Sequence, residues 1–148
     1  MSRSALRKWL FIAFVPVVLV AGGVTFGVTR ALARAADTPE QRWGIRVEGL
    51  RQTAGGTALD FRFRVLDPIK AQPVLAAKDD PVAVHLKTGT QLAVPHPPRF
   101  GALRSRSTHV KPGQLHFVLF SNPNQLVAVG DEVSVSLWGT ELAKATVE

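Results

Sequence analysis

The chain has 148 residues, 46% of them apolar, enough for one domain with a packed core. It has no cysteine, which excludes disulfides, thiolate metal sites, iron–sulfur clusters, thiol catalysis and lipid attachment through a lipobox. The formal charge of +7 suggests nucleic acid, but Arg3, Arg7, Lys8, Arg30 and Arg34 all flank one hydrophobic stretch, and no acidic residue precedes Asp37. The rest of the chain carries 13 basic and 11 acidic residues and none of the motifs of a nucleic-acid-binding domain, so nucleic acid is excluded as a partner.

Trp9 to Thr29 is a run of 21 residues without charge. A helix of about 20 such residues spans the hydrocarbon core of a bilayer. The positive-inside rule keeps residues 1–8 in the cytoplasm, with 9–29 as a signal anchor. A long C-terminal domain can still cross the membrane despite Arg30 and Arg34. Cleavage after Ala35, at Ala33-Arg34-Ala35, is the alternative, although the run is longer than an ordinary signal-peptide core. Within the span, Gly23 and Gly27 form a G-x-x-x-G spacing that allows close packing on another membrane helix. Pro16 is a kink position, and Trp9 suits an interfacial anchor.

Residues 30–42 read as a linker, and the exported domain is expected over 43–148. Ile45 and Val47 alternate with Arg46 and Glu48, predicting a strand that extends toward Leu50. Ala54-Gly55-Gly56 signals a turn. Leu59, Phe61, Phe63 and Val65 then alternate with Asp60, Arg62 and Arg64, the clearest strand in the chain. The two runs around a glycine turn predict a hairpin. Residues 69–80 are open between a helical turn broken by Pro73 and a loop. Val82, Val84 and Leu86 alternate again, and Lys87-Thr88-Gly89-Thr90 turns the chain into a short strand at 92–94. Pro95-His96-Pro97-Pro98 cannot form a central strand, so a long loop is expected to Gly113. Leu115 to Phe120 suits a buried central strand. Turns at Asn122-Pro123-Asn124 and Gly130-Asp131 precede a strand through Val133, Val135 and Leu137, and a last one falls at 142–147. About seven short strands predict an all-β domain, an immunoglobulin-like antiparallel sandwich rather than a small barrel, behind one N-terminal membrane helix.

No Asp or Glu occurs from Pro81 to Gly130, a stretch holding all four histidines. Arg99, Arg104, Arg106 and Lys111 fall in the long loop, where a mobile basic segment would bind an anionic surface or an acidic protein face. The bland reading is that these charges are solvated or paired with Asp60, Asp79 or Asp80. His85, His96, His109 and His116 are the candidate ligands of a copper or zinc site, but they have no motif spacing. His85 and His116 sit in strands whose alternation places them opposite the apolar residues, facing solvent. No nucleophile elbow, zincin motif or phosphate loop is present, so no catalytic residue and no cofactor is assigned and the chain is not read as an enzyme. Trp43 and Trp138 fall near the two ends of the domain, where packing in the core or at an edge is the simpler expectation.

The segment Leu59-Asp60-Phe61-Arg62-Phe63-Arg64-Val65-Leu66-Asp67-Pro68, followed by Lys70-Ala71, resembles an LDFRxRVLDPxKA-like strand and turn of uncharacterised bacterial single-pass membrane-anchored proteins. Leu92-Ala93-Val94-Pro95 and the strand Phe117 to Pro123 extend the resemblance over most of the domain. It implies no activity and no functional residues. The expectation is therefore a module in the bacterial cytoplasmic membrane, its domain in the periplasm or outside. Its expected partners are the lipid bilayer and a protein, such as a subunit of a membrane complex, or an anionic surface. A periplasmic metal-handling protein is the alternative.

Overall fold

The computed structural model describes residues 38–148. The N-terminal segment, the span 9–29 with Gly23 and Gly27, and the cleavage site after Ala35 lie outside the described residues. Among the described residues no helix is long and apolar enough to cross a membrane.

The domain begins earlier than Trp43. Thr38 caps a short helix, α1 (Pro39–Trp43), by accepting a hydrogen bond from the Gln41 amide on its side chain, with Pro39 in the first turn. This is the usual start of a helix, and it lies inside the segment expected to be linker. Gly44 ends α1 at φ 63°, and its carbonyl accepts from the Leu66 and Asp67 amides. A Cβ there would sit 2.7 Å from both Asp67 Cβ and Asp67 O. Gly44→Ala is therefore expected to destabilise the domain by about 3 kcal/mol, read as a lower urea midpoint.

Strands β1 (Ile45–Thr53) and β2 (Ala58–Val65) form the expected antiparallel hairpin. A register shift between Val47 and Gly49 turns Leu50 inward. Leu59, Phe61, Phe63 and Val65 are all buried, as their alternation predicts. Helix α2 (Pro68–Ala76) follows. The Asp67 carboxylate accepts from the Ile69 and Lys70 amides, and Pro68 takes the first helical position. Pro73 is tolerated because the carbonyl it leaves without a donor, that of Ile69, belongs to the exposed first turn. The ambiguity of 69–80 thus resolves as a helix, which buries Ala71, Val74 and Leu75.

Strands β3 (Val82–His85) and β4 (Gln91–Leu92), β5 (Leu115–Ser121), and the β6 (Glu132–Leu137)–β7 (Thr140–Thr146) hairpin complete seven strands. They make two antiparallel sheets, β1-β2-β5 and β4-β3-β6-β7, in a sandwich-like arrangement. One core joins them: Phe61, Phe63, Val118 and Phe120 from the first sheet with Ala83, Val133, Val135 and Leu137 from the second. The sheets are also tied at one margin. Leu50 and Val147 form a parallel bridge, and the Glu148 amide donates to Leu50 O at 2.8 Å.

Strand β5 differs from expectation. It ends its sheet instead of lying in the middle, and Leu115 and Phe117 are exposed on its outer face. Residues 103–105 run along its free side: the Leu119 amide donates to Leu103 O, and the Ser105 amide to Phe117 O. The Ser121 amide donates to Ala93 O in the same way. Covering an edge by a loop is one way a sheet avoids pairing with other chains.

Candidate interaction surface

The long loop is held down. Asp80, between α2 and β3, is the hub. Its Oδ1 lies 2.6 Å from Arg104 Nε and 3.1 Å from Arg106 Nη2, and its Oδ2 lies 2.6 Å from His96 Nε2. Arg104 Nη2 also donates to the Ala77 and Asp79 carbonyls, and Arg106 Nη2 donates to Lys78 O at 2.9 Å. On the other side of the acidic pair, Trp138 Nε1 donates to Asp79 Oδ2 at 2.9 Å. The second tryptophan makes a separate contact, Trp43 Nε1 donating to Glu141 O.

Arg104 is buried, with its side chain only 2% exposed. Burial and the charge of Arg106 pull its guanidinium below the ordinary value, while Asp80 and Asp79 pull the other way. Burial pushes the Asp80 carboxyl up. Hydrogen bonds from Arg106 and His96, with the charges of both arginines, outweigh that and hold it below the usual carboxylate range. Arg104 and Arg106 thus make the pairing with Asp80 that stands as the alternative to a solvated, anion-binding loop, and they fasten the loop to residues 77–80. The reason is compositional. The stretch without acids begins immediately after Asp79-Asp80, so its arginines fold back onto that pair.

Arg99 and Lys111 stay exposed, and neither side chain has a hydrogen-bond or ion-pair partner among the described residues. Arg99 stands at a pinched tip, Pro97-Pro98-Arg99-Phe100-Gly101. The Phe100 and Gly101 amides both donate to Pro97 O, and the Leu103 amide donates to Pro95 O at the neck. Gly101 takes φ 67°, which lets the tip close. Phe100 is 78% exposed. Beside the neck, Pro95, Leu103, Phe117 and Leu119 line an open groove of about 430 Å³, bordered by Asp60 and Arg62 of β2. Arg62 Nη2 pairs with Asp60 Oδ2 at 2.8 Å, while Asp60 Oδ1 is buried without a hydrogen-bond partner. The tip thus places an exposed aromatic and an exposed arginine beside an apolar groove.

Sequence reading missed Phe100, Phe117 and Leu119. The signal for Phe100 was a large aromatic inside a proline-rich loop that no strand claims. Phe117 and Leu119 were hidden in a run where every position is apolar or histidine.

The histidines are dispersed by role. His85 and His116 are buried rather than solvent-facing. His85 lies on the inner face of β3 with Ala83, its Nδ1 2.9 Å from Thr88 Oγ1 and its Nε2 3.3 Å from Asp131 Oδ2. The Asp131 carboxyl is held below its ordinary range, chiefly by the Ala128 amide and further by His85 and Lys87. His116 shares the inner face of β5 with Val118 and Phe120 and stacks on Phe63 at 5.8 Å. His96 pairs with Asp80, and His109 Nδ1 contacts Thr108 Oγ1. Among the described residues no group of three His, Asp or Glu side chains is placed to hold a metal ion.

His116 carries a pH dependence. Burial lowers its pKa, and its Nε2 has no hydrogen-bond partner. A folded pKa below the unfolded value near 6.5 means that the unfolded state takes up the proton first. Stability is full above about pH 6.5 and declines as the pH falls from there toward the folded pKa. His116→Leu is expected to lessen the fall in urea midpoint below about pH 6.5 without lowering the midpoint at neutrality.

No protein-family model matches the sequence, and no match is found among the curated proteins or the solved structures.

Proposed function

We propose that the chain is a membrane-tethered extracytoplasmic binding module. Residues 9–29 anchor it in a bacterial cytoplasmic membrane, and the β-domain lies in the periplasm or outside. Its connectivity is immunoglobulin-like: hairpin β1–β2 pairs with β5, and β3 and β4 cross to join β6 and β7. The order β1-β2-β5 over β4-β3-β6-β7 supports that reading. The partner is a protein, engaged by the Arg99–Phe100 tip and the groove at its base; no catalysis is assigned.

The observation that carries this reading is the exposure of Phe100 on a loop that Asp80 and β5 hold fixed. A flexible loop would lose entropy on docking, whereas a pre-shaped tip presents its anchors already ordered. Replacing Arg99 and Phe100 together by serine is expected to weaken partner capture more than about tenfold, the scale of a hot-spot loss. Urea midpoints should stay unchanged, because neither side chain packs in the core. Capture as strong as wild type by pull-down would refute the tip as the contact point.

A further inference from the structure

We infer that the end of the domain where the chain enters at Thr38 is a docking face for an anionic phospholipid surface. Strands β1 and β5 begin there, β2 ends there, and α2 starts there. The pieces are contiguous: Lys70 Nζ donates to Gln41 O at 2.9 Å, the Leu66 amide to Gly44 O, and the Gly113 amide to Val65 O.

Two features of this end are unlike an ordinary solvated surface. Arg46 and Arg64 are direct cross-strand partners on one face. Like charges so placed are destabilising. Glu48 compensates Arg64 at 2.8 Å, while Arg46 has no side-chain partner among the described residues. Lys70 and Lys111 add exposed positive charge nearby. Against these cations stand Glu40, Glu48, Asp67 and Glu141, of which Glu48 pairs with Arg64, Glu141 with Lys144, and Asp67 caps α2. Large aliphatic side chains are exposed among the cations. Ile69 is 85% exposed, Leu115 47% and Leu66 37%. Cations around projecting aliphatics match a surface with negative headgroups above an acyl region.

Chain length supplies the occupant. The uncharged run ends at Thr29, and Thr38 begins the described domain. Nine residue steps reach at most about 32 Å when fully extended. This inference rests on the reading of 9–29 as a membrane span. Given that span, the tether keeps the Thr38 end within about 32 Å of the membrane surface, so the local concentration of lipid is high.

The absence of cysteine makes a single label unambiguous. The full chain carries Ile69→Cys or Leu126→Cys, the latter exposed beside the β1–β2 turn at the other end of the sheet. Each is coupled to an environment-sensitive fluorophore and placed in nanodiscs of phosphatidylcholine with or without phosphatidylglycerol, doped with headgroup-depth doxyl quencher. The label at position 69 is expected to be quenched several-fold more than that at 126 in the anionic discs. The difference should shrink in phosphatidylcholine alone, and with Arg46→Gln, Lys70→Gln and Lys111→Gln combined in a chain of unchanged melting. Equal quenching at the two positions, or quenching indifferent to lipid charge, overturns the docking face while leaving the anchor intact. A chain that is released from the discs by alkaline carbonate overturns the anchor itself, and the docking face with it.

Discussion

Asp80→Ala is expected to cost the domain about 3 kcal/mol, measured by urea unfolding at neutral pH. The carboxylate is the counter-charge of Arg104, whose side chain is nearly inaccessible. Removing one partner of a buried pair leaves the other charged and desolvated, which costs far more than the pair itself contributes. Asp80→Ala combined with Arg104→Met should therefore recover most of the loss. The other two partners are half exposed, so Arg106→Gln or His96→Gln should each cost less than about 1 kcal/mol. The sign with pH also follows. The folded Asp80 carboxyl sits below its ordinary value. Its contribution is present above the unfolded carboxylate range and disappears as pH falls through the folded pKa. Wild-type stability should therefore fall more steeply on the acid side than it would if Asp80 were simply bathed in solvent. Asp80→Asn should lose that acid-side dependence.

Asn122→Ala should cost a similar amount, about 3 kcal/mol by the same measurement. Asn122 is fully buried. Its Nδ2 donates to Gly56 O at 2.8 Å and to Val127 O at 2.9 Å, and its Oδ1 accepts from the Val127 amide at 2.9 Å. One side chain thus ties the β1–β2 turn to the connection between β5 and β6. Truncation leaves buried backbone groups short of partners, each costing about 1–3 kcal/mol. Val127 O keeps its bond from Gln52 Nε2, which limits the damage. Asn122→Asp keeps the acceptor and loses both donors, so it should be at least as harmful.

Where one face of a strand is polar, the sequence could be read directly. Leu59 through Val65 has charges on alternate positions, and its burial follows them. Val133, Val135 and Leu137 behave the same way with serines between. Leu115 to Phe120 has no such contrast. Burial there follows His116, Val118 and Phe120, a phase that the neighbouring strand and the covering loop decide. His85 misleads for the same reason: it extends the inner face of a four-residue strand and finds Thr88 and Asp131 within reach. The linker and α1 show the opposite failure. Thr38-Pro39 is a good helix start, but a five-residue helix is too short for periodicity to reveal. In the candidate site, the loop and its basic content were legible. Its division into internal fasteners and an exposed tip was not, because that depends on Asp80 lying close to Arg104 in space and not in sequence.

The most direct test of the binding reading is photocrosslinking in intact cells, with a photoreactive phenylalanine analogue at position 100 and, separately, at the exposed Lys144 on β7. Capture of one dominant protein from position 100 and not from position 144 is the result expected of a module that engages its partner through the loop tip. The same diffuse products from both positions, or none from position 100, would contradict it.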